Sequence, residues 1–156
     1  MRIAVCLLAA ALGLLQATAP PDAIRERERA YRANNVGVAR LEQFDYDAAA
    51  RSFREALQIA PALHIARLNL AIALLYGGRP AEAAPEARAA AKQLPDNPTA
   101  HYVVGLIAKA DNAMEEGAAA FERVLQLDPR DGGAKIQLGQ IQLQQRRYDD
   151  ALRLFQ

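Results

Sequence analysis

Tryptophan is absent from the 156 residues, cysteine occurs once, and histidine and methionine occur twice each. The single cysteine, Cys6, sits in an apolar N-terminal run and reads as an apolar filler, so the rest of the chain has no disulfide, thiol chemistry or cysteine-based zinc site. His64 and His101 have no second histidine or acid at ligand spacing and read as packing or surface residues. No glycine-rich phosphate loop, nucleophile elbow or histidine metal motif is present, and Asn97-Pro98-Thr99 fails as a glycosylation site because proline stands in its middle. The paired acids Asp149-Asp150, Glu115-Glu116 and Asp45/Asp47 fall at expected helix starts, where they favour the helix dipole. The chain is therefore expected to be no enzyme, with no catalytic residue, metal or cofactor.

An excess of one charge is missing too. Lysine and arginine number 19 against 18 acids. Residues 1–19 hold Arg2 and no acid, so beyond them the two signs balance, and neither nucleic acid nor an acidic membrane is an expected partner. Arginine supplies 16 of the 19 cations and alanine is abundant, which hints at a GC-rich bacterial genome.

The N-terminus reads Met1-Arg2, an apolar run from Ile3 to Leu15, then Gln16-Ala17-Thr18-Ala19. The run is shorter than the roughly 20 residues of a membrane span, and the basic start and small residues after it predict a secretory signal over residues 1–19. Pro20 disfavours cleavage after Ala19, which leaves an uncleaved N-terminal anchor open. Export to the periplasm or beyond the cell is expected. Residues 20–29 read as a charged helical extension, with Asp22 as its N-cap and Glu28 spaced to pair with Arg32.

From Ala30 onward one pattern returns every 34 residues. Pro61, Pro95 and Pro129 mark the step, and so do Gly37, Ala71, Gly105 and Gly139, each preceded by Val36, Leu70, Val104 or Leu138. Twelve positions after each comes Ala49, Ala83, Gly117 or Ala151, and four later Phe53, Ala87, Phe121 or Phe155. Apolar residues recur at spacings of three and four, so each copy holds two amphipathic helices. The small residue lets the paired helices approach closely, and the proline ends the second one. Helices are predicted over Asp22 to Gln43, Asp47 to Ala60, Ala62 to Tyr76, Pro80 to Leu94, Pro98 to Ala110, Ala113 to Leu127, Gly133 to Gln145, and from Tyr148. Asn97 before Pro98 predicts a cap, Asn112 with Glu115 a capping box, and Gly77-Gly78 a turn.

This register resembles the tetratricopeptide repeat family. The resemblance implies an all-α solenoid, a right-handed superhelix of antiparallel helix pairs, with copies over residues 30–63, 64–97, 98–131 and a shortened 132–156. It also implies a scaffold, which the N-terminal signal would export, whose concave groove, lined by the first helix of each copy, receives a protein or peptide partner. The family's groove positions fall on Tyr31, Asn34, Val38 and Leu41; on Ile65, Leu68, Ile72 and Leu75; on Thr99, Tyr102, Leu106 and Lys109; and on Ile136, Gln140 and Leu143. Family members that clamp chaperone C-termini use lysine and asparagine where this chain has Asn34, Val38, Leu68 and Ile72, so an apolar segment anchored on Leu68, Ile72, Tyr102 and Leu106 is expected instead. Burial of these four between repeats is the alternative. The run from Gly37 to Pro61 with LNLAIALL after it is also similar to repeats that precede ASPIC/UnbV-type domains, which implies a larger exported protein. The last copy stops at Gln156 and predicts that Leu138, Ile141, Leu152 and Phe155 stay partly uncovered, open to a longer array or to a second copy.

Overall fold

The computed structural model describes residues 21–155, so the expected signal segment and Cys6 lie outside the described residues. Eight α-helices follow one another: α1 (Pro21–Glu42), α2 (Tyr46–Ile59), α3 (His64–Tyr76), α4 (Pro80–Gln93), α5 (Pro98–Ala110), α6 (Met114–Leu127), α7 (Gly132–Gln144) and α8 (Tyr148–Leu154). Among the described residues there is no strand. Each helix packs on the next in sequence, and α1, α3 and α5 also touch in succession, forming a layer of first helices that the Lys109 bonds to Gln137 and Gln140 extend to α7.

Close approach within each pair follows from small side chains. Ala49, Ala83 and Ala151 are buried at the second-helix position, with Gly117 in the third pair. A Cβ on Gly37 would lie 2.5 Å from the Phe53 ring, and one on Gly139 2.6 Å from the Phe155 ring, so these phenylalanines rest directly on glycine backbone. The second pair keeps the spacing with Ala71 and Ala87, both fully buried. One core runs from Ala49 and Phe53 through Leu68, Leu70, Leu74 and Ala87 to Val103 and Ile107. A second joins Phe121 and Val124 to Leu138 and Ile141. Leu138 and Ile141 are thus buried, covered by α6 and α8, and only Leu152 and Phe155 of the four residues expected near the end are largely exposed, at 60% and 57%.

Helix starts repeat as well. The carboxylate of Asp45 accepts from the Ala48 N–H, the Asn97 side chain from Ala100 N–H and Asp131 from Ala134 N–H, at 3.1, 3.1 and 2.7 Å. Two expected caps are corrected. Asp22 lies inside α1, which starts at Pro21, where it meets Arg25 at 3.8 Å; Glu28 and Arg32 form no ion pair. Asn112 does not cap α6, whose N-cap is Ala113 without a side-chain bond. It adopts φ 58° instead, the left-handed conformation that Phe44, Gly78 and Arg146 adopt at φ 61°, 74° and 60°. Every turn between paired helices passes through that conformation at the same register, and asparagine tolerates it better than most residues.

Ion pairs link successive second helices. Arg54 reaches Glu82 at 2.9 Å, and 34 residues later Arg88 grips Glu116 through two bonds of 2.7 and 2.9 Å. The next step would place Glu122 beside Asp150, two acids. Asp150 is held instead by Arg147 at 2.7 Å and by Arg153, both of its own turn.

Candidate functional site

The layer of first helices presents the side chains expected to line a groove, at four positions in each of the first three pairs and at three in the last. At the first, Tyr31 and Ile65 are exposed by 40% and 39%, and Thr99 is exposed. At the second the chain diverges. Asn34 is buried, Leu68 is 2% exposed inside the main core, Tyr102 is half-buried and Ile136 is half exposed. At the third, Val38, Ile72 and Leu106 are half-buried against the cores beneath them, while Gln140 is exposed. At the fourth, Leu41, Leu75 and Lys109 are half-buried and Leu143 is exposed.

Leu68 is therefore no surface anchor, because α3 turns it into the packing between neighbouring pairs. Ile72, Tyr102 and Leu106 divide their area between core and solvent, and Ile65 and Ile136 offer the larger free apolar faces.

Polar groups sit at both ends of this strip. Asn69 donates from its amide to the Asn34 side-chain oxygen at 3.0 Å, joining α1 to α3 across a partly buried contact. Toward the other end the Lys109 ammonium donates to Gln137 at 2.6 Å and to Gln140, joining α5 to α7. Asn69 and Gln137 were not singled out from the repeat pattern. Each stands one position after a groove position, at a register shared with Asn35, and that recurrence of amides was the available signal.

Tyr102 is fixed from beneath by Phe121, whose ring meets it edge-on at 5.4 Å between centroids. With Pro98, Thr99, Asp131 and Gly133 it lines a hollow of about 240 Å³ between the starts of α5 and α7. Burial pushes the Tyr102 phenol above its ordinary value, the Asp131 carboxylate adds to this, and a hydrogen bond with Gln137 opposes it. His64 begins α3 and is half-buried, and the His101 ring nitrogen bonds the Pro95 carbonyl at 2.9 Å, helping to close a loop between pairs. Among the described residues no group of three or more His, Cys, Asp or Glu could hold a metal ion. No described helix is long and apolar enough to cross a membrane.

The tetratricopeptide repeat family model matches residues 68–132 and 114–156, and a second model of the same description matches 32–63. A search of curated proteins finds no match. Among solved structures the chain is similar to MamA, residues 41 to the end, from Desulfovibrio magneticus RS-1, with a TM-score of 0.76, 24% identity, and coverage of 85% of this chain and 75% of that one. It is similar to the Arabidopsis OM64 repeat domain at TM-score 0.74 and 21% identity, covering 76% and 98% of the two chains. The first repeat domain of Spaghetti (RPAP3), bound to an HSP90 peptide, gives 0.73 and 23%, covering 75% and 93%. At these identities the likeness shows the fold, an all-α repeat solenoid. With its 34-residue register, its glycine-on-phenylalanine helix pairs and these matches, the chain belongs to the tetratricopeptide repeat family.

Proposed function

We propose that this chain is a non-catalytic interaction scaffold that receives an apolar peptide segment or partner helix along its layer of first helices. One observation carries the reading: Ile65, Ile72, Tyr102, Leu106 and Ile136 form an apolar strip over three successive helix pairs that its own fold leaves partly open. Such a strip suits the apolar stripe of a helix or the alternate side chains of an extended segment. The neighbour that holds an HSP90 peptide supports peptide binding as a use of this fold. Recognition of a chaperone carboxylate is disfavoured, since Val38, Leu68 and Ile72 carry no charge and Asn34 is spent on Asn69. The apolar run before Pro20 supports an exported setting, periplasmic or secreted.

The test is capture from an envelope extract by the full chain and by an Ile65→Glu/Ile136→Glu variant, with circular dichroism on both. These two sites are exposed enough to take charge without unfolding the pairs. Capture of a partner by the parent and its loss by an equally helical variant is the expected result. Equal capture by both overturns the groove assignment.

A further inference from the structure

The turns between paired helices form an edge of the array separate from the groove, and at the first two pairs this edge carries aromatic rings. Tyr46 and Tyr76 stack with centroids 6.1 Å apart and planes 25° apart, and Phe44 meets Tyr46 edge-on at 6.4 Å and 78°. The three make a corner with two walls. Phe44 is 76% exposed and Tyr76 60%, so their outer faces are in water.

Stability does not account for Phe44. It occupies the left-handed position at φ 61°, where the next pairs use Gly78, Asn112 and Arg146, none of them a ring. A bulky residue there is strained, and at this exposure it recovers little packing in return. Nor is the group a requirement of the repeat: the positions equivalent to Tyr76 hold Glu42, Ala110 and Gln144. A strained, exposed ring at one turn of four points to a contact made outside the fold.

The surroundings select the chemistry of that contact. Glu42 ends α1, Asp45 caps α2 and Asp47 lies in its first turn, and all three carboxylates are exposed. The cations near this turn are already engaged: Arg79 with Asp47 at 3.0 Å and with Glu82, and Arg40 with the Ala48 carbonyl and the Ser52 hydroxyl at 3.2 and 2.9 Å. Electron-rich ring faces rimmed by surplus acids favour a cation. We propose that the corner of Phe44, Tyr46 and Tyr76 docks an arginine or lysine side chain of a partner protein, stacked on the rings and paired with Glu42 or Asp45.

The experiment is an NMR titration of the full chain with a tetra-arginine peptide blocked at both ends, following ring resonances of Phe44, Tyr46 and Tyr76, with a deca-proline peptide as comparison. Tetra-arginine is expected to move all three rings, and Phe44→Gly/Tyr76→Ala to weaken it by about five- to thirty-fold, the sum of two exposed cation–π contacts. Because Phe44→Gly relieves strain, it gives a second variant that folds at least as well as the parent and still binds less. Unmoved rings, equal binding by the double variant, or movement by deca-proline alone each overturn the proposal. Concentration-dependent ring shifts without peptide, marking a second copy in the corner, overturn it as well.

Discussion

Gly105 on α5 lies flat against Phe121 on α6: a Cβ built on the glycine would stand 2.7 Å from two atoms of the ring. Phe121 is fully buried with nowhere to retreat. Gly105→Ala should therefore destabilise the chain by roughly 1 to 3 kcal/mol through overpacking, even though alanine is the better helix former. Phe121→Ala alone should cost roughly 3 to 5 kcal/mol by leaving a cavity. Combining them recreates the Ala71/Ala87 arrangement of the second pair, so the double variant should lose less than the sum. Thermal unfolding of the four proteins measures the coupling, and strict additivity would show that ring and glycine do not act as a unit.

Left-handed turn residues offer a cleaner contrast. Nothing lies within 4 Å of a Cβ built on Gly78, so Gly78→Ala tests conformation alone and should lower stability by roughly 1 kcal/mol. Arg146→Gly, at φ 60°, should act in the opposite direction, raising the melting temperature by a few degrees. A stabilised Gly78→Ala protein would contradict the backbone argument.

The Arg88–Glu116 pair makes acid sensitivity predictable in sign. The Arg88 hydrogen bond holds the Glu116 carboxyl below its ordinary value, and burial opposes this more weakly. A depressed carboxyl contributes stability above its unfolded value, and that stability is lost as pH falls through the folded one. Both side chains are well exposed, at 49% and 39%, so the contribution is below about 1 kcal/mol and fades with salt. Glu116→Gln should lower the melting temperature slightly at neutral pH and flatten its decline in acid. A parallel decline in parent and variant would remove the pair from the acid response.

The helix ladder was legible because glycine, proline and aromatic residues recur every 34 residues, and a common spacing is stronger than any single helix signal. The capping role expected of Asn112 was not, because Asn112 with Glu115 satisfies a local cap pattern while the turn needs a left-handed residue at that register. Comparing Asn112 with Gly78 would have exposed the conflict. The repeat pattern assigns its groove positions to the first helices of the pairs, but it could not separate Leu68 from Ile65. Both are apolar residues of α3, three apart, and one is nearly closed off from water while the other is 39% exposed. How far each turns inward depends on the rotation of α3 between α1 and α5, which no local pattern encodes.

That difference between Leu68 and Ile65 yields the last prediction. Leu68 touches the core from Phe53 to Ile107, so Leu68→Ala should cost roughly 2 to 5 kcal/mol. Ile65→Ala removes a side chain with much of its area already in water, and its cost should stay below about 1 kcal/mol. Partner affinity should follow the reverse order, falling for Ile65→Ala while Leu68→Ala, assayed below its melting temperature, binds nearly as the parent does. Denaturant unfolding and a binding titration on the same two variants decide the matter. If both variants lose stability and neither loses affinity, the apolar strip belongs to the array's own packing, and the partner docks elsewhere.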